Sequence, residues 1–89
     1  MKTKVLYFHT NDWCRGCFKM KPKFYDEVKK HDIKYDIIDV DAPEGAELSC
    51  VYGVRNVPTL VFLKGNKVIG IEKGNNSYKN IYKYVEKKR

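Results

Sequence analysis

Val5-Leu6-Tyr7-Phe8, then Trp13-Cys14-Arg15-Gly16-Cys17, then Phe18 to about His31, is the stretch whose reading decides the fold. The unbroken apolar run reads as a strand covered on both faces. The segment from Phe18 carries Met20, Phe24 and Val28 at four-residue spacing, with Lys19, Lys23, Glu27 and Lys30 left for water, and reads as a helix. Two cysteines three apart at the start of a helix can close a small disulfide ring or open to a dithiol. There the helix dipole and its unpaired N–H groups favour a thiolate on the first sulfur. The chemistry this suggests is thiol–disulfide exchange, with Cys14 attacking a substrate disulfide and Cys17 resolving the mixed disulfide.

A C-x-x-C pair is also half of many zinc sites, and a tetrahedral zinc needs four ligands. Cys50, His9 and His31 are the other candidates, and none is paired with another at ligand spacing. No metal is therefore expected, and the strand–C-x-x-C–helix order favours the redox reading.

The 89 residues suit a single domain, 1–89, whose hydrophobic content of 43% and charged content of 33% read as globular rather than disordered. No run approaches a transmembrane length, and Met1-Lys2-Thr3-Lys4 passes into a strand without a signal-peptide core. The expectation is a cytoplasmic protein without a membrane partner, where a cysteine pair is catalytic rather than a structural staple. The net charge of +7 is uneven: residues 64–89 carry eight basic and two acidic side chains, against ten and nine before them. A basic C-terminal third can steer acidic partners, but no aromatic-basic RNA motif or recognition helix accompanies it. A solvated helix face is the expectation, and nucleic acid is not an expected partner.

The rest of the chain reads in order as a strand Ile33 to Val40, a helix opened by Pro43 and ended by Gly53, a strand Leu60 to Leu63, and a strand Lys67 to Glu72 after a Gly65-Asn66 turn. Leu48, Val51 and Tyr52 are the expected apolar side of the second helix. Asn75-Asn76-Ser77 offers cap oxygens to a last helix presenting Tyr78, Ile81, Tyr82 and Val85 on one face. Pro22 lies inside the first helix and is expected to kink it. The order β-α-β-α-β-β-α implies an α/β fold, a four-stranded mixed sheet with helices on both faces.

With Trp13-Cys14-Arg15-Gly16-Cys17, Pro22, Tyr52-Gly53-Val54-Arg55, Val57-Pro58-Thr59 and Gly74 in hand, the chain resembles the thioredoxin family over nearly its whole length. The family's extra N-terminal strand and helix are not represented in the match, which covers the minimal thioredoxin fold. The resemblance implies that Cys14 is the nucleophile, Cys17 the resolving thiol, and Pro58 a cis-proline facing them. The backbone of Val57 is then free to pair with a substrate strand, and Trp13 and Gly74 line the apolar surface that receives it. Arg15 and Gly16, between the cysteines, belong to the same substrate-facing loop.

Three departures from the family pattern stand out. The buried acid on the strand before the motif falls on Phe8, and its lysine partner on Ile37. His9 is the nearest titratable residue, with packing its expected role. The dipeptide between the cysteines is Arg-Gly rather than Gly-Pro, and a cation beside Cys14 favours its thiolate. Cys50 is expected to be a buried structural thiol. The resemblance implies a protein-disulfide reductase with no bound cofactor beyond the redox-active Cys14–Cys17 disulfide. Disulfide-containing proteins are its implied substrates, a thioredoxin-reductase-type protein its electron donor, and a monomer its expected state. The alternatives are a glutathione-dependent, glutaredoxin-like enzyme, against which the absent Tyr between the cysteines speaks, or a metal- or nucleic-acid-binding module.

Overall fold

The central strand, β1 (Thr3–His9), sends alternate side chains into two separate cores, as a strand covered on both faces must. Val5 and Tyr7 enter one cluster, Leu6 and Phe8 the other. The computed structural model describes residues 3–10 and 15–85; of residues 15–17 it describes the backbone alone. Five further segments follow: helix α1 (Arg15–His31), β2 (Lys34–Asp39), helix α2 (Pro43–Tyr52), β3 (Thr59–Lys64) and β4 (Lys67–Lys73). A 3₁₀ helix, Ser77–Tyr84, ends the described chain. The strands form one sheet in the order β2-β1-β3-β4, with β1 and β2 parallel and the other neighbours antiparallel. This is the expected four-stranded mixed sheet.

Met20, Phe24 and Val28 turn one stripe of α1 into the first core, where Phe24 packs edge-on to Tyr7 with centroids 4.6 Å apart. Burying side chains of this size contributes about 1.5–3 kcal/mol each. The helix starts at Arg15, ahead of the expected Phe18, whose side chain is 55% exposed. The helix runs through Pro22 to a last turn holding Lys29, Lys30 and His31, cations that suit the negative end of its dipole. Asp32 then takes a left-handed backbone, φ 53°, and Ile33 N–H donates to the Val28 carbonyl, which closes the helix end.

The opposite face departs from expectation. Leu48 and Val51 are exposed on α2, and Gly45 is its buried residue. The helix meets the second core through Gly45 at one end and through Tyr52, edge-on to Phe8, at the other. Cys50 is likewise exposed rather than a buried structural thiol. Gly53 caps α2 as expected, at φ 68° with its N–H on the Cys50 carbonyl.

The last segment is a 3₁₀ helix rather than an α-helix, and the difference re-sorts its faces. With three residues per turn, Tyr78, Ile81 and Tyr84 line up. Tyr84 therefore takes the packing place expected of Tyr82, stacking on Phe62 at 4.0 Å, while Tyr82 lies exposed. The Tyr84 hydroxyl donates to Glu72 at 2.6 Å. Asn76 stands at the N-cap without a side-chain bond, and the buried Ser77 hydroxyl donates to the Met20 sulfur instead.

Candidate functional site

The strand register brings the chemistry to one end of the sheet. Phe8 pairs with Thr59 and Thr59 with Lys73, so His9, Pro58 and Gly74 lie at the same sheet edge, beyond the C-terminal end of β1. The Val57–Pro58 peptide is cis, as the resemblance implies. Gly74, at φ 97°, donates its N–H to the Pro58 carbonyl at 2.9 Å and fastens the end of the hairpin to the proline turn. A side chain other than glycine is strained at that φ, while the space where its Cβ would stand is open. Thr59 closes the same turn, donating its hydroxyl to the Asn56 carbonyl at 2.6 Å. Val57 packs against the second core, which anchors the side chain of the residue preceding the proline.

From this end of β1 the chain runs through residues 11–14 into α1. Trp13 and Cys14 lie outside the described residues, as do the side chains of Arg15 and Cys17. The backbone of Arg15, Gly16 and Cys17 forms the first turn of α1, which contains no acidic residue. Cys14 is thus the residue preceding the helix in sequence, and Cys17 stands within the turn whose N–H groups have no intrahelical acceptor.

Two further residues, Thr10 and Asp41, brace this end without any local sequence motif. Thr10 is fully buried, and its hydroxyl donates to the Asp41 carboxylate. The Asp41 N–H donates to Asp39 Oδ1 at 2.9 Å, and the Val40 N–H to the His9 carbonyl at 2.9 Å. Together these bonds tie the exit of β1 to the exit of β2. The signal available was Asp39-Val40-Asp41 at the end of a parallel strand, where carboxylates meet the neighbouring strand's loop.

Phe8 is buried among Leu6, Ile38, Val61 and Leu63, so no carboxylate stands at its position. The residue beside it in register is Ile38, on the same face, whereas Ile37 packs towards the first core. His9 is buried against Tyr7, ring centroids 5.6 Å apart. Burial lowers its pKa from the ordinary value, the Lys21 charge lowers it further, and Asp39 opposes them. His9 is accordingly a neutral, packed imidazole near neutral pH.

The family model described as Thioredoxin matches residues 1–87. The chain belongs to the thioredoxin family. Thioredoxin-T of Drosophila melanogaster is 31% identical over 86 residues, which cover 97% of this chain and 54% of that protein. Thioredoxin-1 of Drosophila yakuba is 32% identical over 78 residues, 88% of this chain and 72% of that one. The chain thus spans about half the length of the first relative. Among solved structures, thioredoxin NaTrxh from Nicotiana alata superposes with a TM-score of 0.83 at 30% identity, covering 96% of this chain and 75% of that one. Fasciola hepatica thioredoxin gives 0.81 at 29%, covering 93% and 81%. The two solved structures share the thioredoxin fold with this chain.

Proposed function

We propose that the protein is a protein-disulfide reductase working through Cys14 and Cys17. Family membership supports thiol–disulfide oxidoreductase chemistry in general. The observation that supports the finer reading is the cis Val57–Pro58 turn, bonded to Gly74 at the end of the sheet where β1 finishes, five residues before the C-x-x-C motif.

In the proposed cycle the Cys14 thiolate attacks one sulfur of a substrate disulfide, forming a mixed disulfide and releasing the other sulfur as a thiolate. Cys17 then attacks the Cys14 sulfur, releasing the second substrate thiolate and leaving the Cys14–Cys17 disulfide. The two electrons gained by the substrate come from this dithiol, and a thioredoxin-reductase-type protein restores it. The unpaired N–H groups of the α1 first turn favour the attacking thiolate, and Arg15 adds a positive charge beside it. Trp13, Arg15, Gly16 and Gly74 are proposed to border the substrate, and the Val57 backbone to pair with its extended strand. A dithiol acting as reductant fits a reducing compartment such as the cytoplasm.

Insulin reduction with a dithiol donor tests this reading. Cys14→Ser is expected to abolish turnover, and Cys17→Ser to accumulate a mixed disulfide that a reducing gel releases. A Cys14→Ser protein with full activity would overturn it, and a Cys17→Ser protein that instead lost alkylation at neutral pH would reverse the roles. The reduction potential is a finer test. Arg15 and the uncharged Phe8 both favour the reduced form, so the potential is expected above thioredoxin's roughly −270 mV and below the roughly −120 mV of a dedicated oxidant.

A further inference from the structure

The positive charge of the chain is gathered on one side of the sheet. Helix α1 carries six basic and two acidic residues, and the 3₁₀ helix two basic and none acidic, whereas α2 carries two acidic and none basic. Both basic helices pack on the first core, and α1 begins within the C-x-x-C motif. We propose that Lys23 and Lys79, brought together on the ring of Tyr78, form a docking point for a carboxylate-rich segment of the protein substrate, beside its disulfide. The proposal rests on the disulfide-reductase reading above and names the substrate class of that site.

The two lysines reach one ring from different elements. The Lys23 ammonium lies 5.5 Å from the Tyr78 ring centroid and the Lys79 ammonium 6.0 Å. Cations are drawn to an aromatic face, so the ring holds both side chains in place before a partner arrives. Both lysines are exposed, and neither makes an ion pair among the described residues. Glu27, one turn beyond Lys23, faces His31 at 4.0 Å instead. Glu72 of β4 accepts from Asn80 at 2.8 Å and from Tyr84 at 2.6 Å, and pairs with neither lysine. Two placed cations without an anion of their own suit a carboxylate from outside.

Hydrogen bonds join this cluster to the candidate site. Gly74, fastened to the Pro58 carbonyl, accepts the Ser77 N–H at 3.1 Å, and Tyr78 follows directly. The Ser77 hydroxyl donates to the Met20 sulfur at 3.3 Å and ties the start of the 3₁₀ helix to α1. Lys23 lies six residues beyond Cys17 along α1, a rise of about 9 Å, which an extended chain covers in about three residues. Lys19, exposed one turn nearer Cys17, and Lys73, exposed beside Gly74, continue the positive surface towards the motif. Residues flanking a disulfide held at Cys14 therefore come within reach of the pair. Nucleic acid fits it less well. Tyr78 is half-buried against the first core with both lysines about its ring, and is not an open platform for a base.

Disulfide peptides of one sequence, carrying a four-residue aspartate or lysine tail on either side of the disulfide, test the proposal with the 89-residue chain. At low salt the aspartate tail should lower KM at least about tenfold relative to the lysine tail, with kcat unchanged, and added salt should shrink the difference. Lys23→Glu/Lys79→Glu should abolish or reverse the preference. Lys30→Glu/Lys34→Glu makes the same change of net charge at the last turn of α1 and the start of β2, and should keep it. Circular dichroism confirms that each variant is folded. Fluorescence anisotropy of labelled peptides with serine in place of cysteine reads the same preference as affinity, independently of turnover. No reduction of any peptide would overturn the reductase reading, whereas equal affinity for the two tails would overturn the docking point. So would a preference that survives Lys23→Glu/Lys79→Glu, or one lost equally in both double variants. A Lys23→Glu/Lys79→Glu protein that loses a single-stranded oligonucleotide but not the aspartate peptide would also overturn it, in favour of nucleic acid.

Discussion

The two faces of the sheet are built to different standards. On one, α1 buries Met20 and Phe24 completely, and the 3₁₀ helix adds Ile81 and the Tyr84 stack. On the other, α2 leaves Leu48 and Val51 in water and touches the core at its ends, through Gly45 and Tyr52. The second core is instead filled from the strands themselves, with Leu6, Phe8, Ile38, Val61 and Leu63, and from the loop residues Val54 and Val57. Both faces serve the same sheet end. The heavily packed helix carries the cysteine turn, and the lightly packed side carries the proline turn.

The largest effect should come from the α1 side. Phe24 touches Tyr7, Tyr25 and Tyr35 and is fully buried, so Phe24→Ala removes a ring and leaves a cavity between helix and sheet. A loss of about 3–5 kcal/mol is expected in urea unfolding. Leu48→Ala on α2, measured alongside, should lose less than half as much. Equal losses would break the contrast between the faces.

Gly45→Ala should be next. In an open helix this change stabilises by about 1 kcal/mol, through propensity alone. Here the new Cβ would overlap the Asp39 carbonyl oxygen, which is backbone and cannot swing aside, and would press to 3.2 Å on Ile38 Cγ2. The net expectation is destabilisation by about 1–3 kcal/mol, as for overpacked sites. A stabilised variant would mean that α2 floats freely over the sheet and that its contact at Gly45 is not fixed.

The strands, their order and the first core were legible in the sequence because each carried an uninterrupted signal: Val5 to Phe8, Leu60 to Leu63, and Met20, Phe24 and Val28 at helical spacing. The departures have separate physical causes. Leu48 and Val51 form an apolar pattern that the described residues leave exposed, and periodicity records pattern, not neighbours. Cys50, on the same helix, is exposed with them. Tyr84 falls off the face that a 3.6-residue period predicts, because this segment turns every three residues. The Thr10–Asp41 bond joins residues thirty-one apart through polar side chains, and no local pattern announces such a pair.

His9 provides a pH-dependent test of the α1 side. Its pKa is lowered in the folded protein, by burial first and by Lys21 second, with Asp39 opposing. A depressed histidine leaves the unfolded chain holding more protons, so its contribution to stability is complete above pH 6.5, the ordinary value, and is lost as pH falls towards the folded pKa. Thermal melts should show a decline below pH 6.5 that His9→Phe reduces. A decline of the same slope in both proteins would assign the acid sensitivity to groups other than His9.

The smallest effect is also the most discriminating. Val51 is 68% exposed, although it is the immediate neighbour of Tyr52, which with Gly45 does meet the sheet. If α2 is held by its two ends alone, the methyl groups of Val51 contribute no burial, and Val51→Ala should change stability by less than about 0.5 kcal/mol. Helix propensity even favours the alanine, since valine loses side-chain freedom against the preceding turn. The expected sign is therefore neutral to slightly stabilising, read from paired urea melts with unchanged m-value. A loss above about 1 kcal/mol would show that Val51 is covered in solution. The apolar side of α2 would then have a partner of its own, and the two faces of the sheet would differ less than their packing indicates.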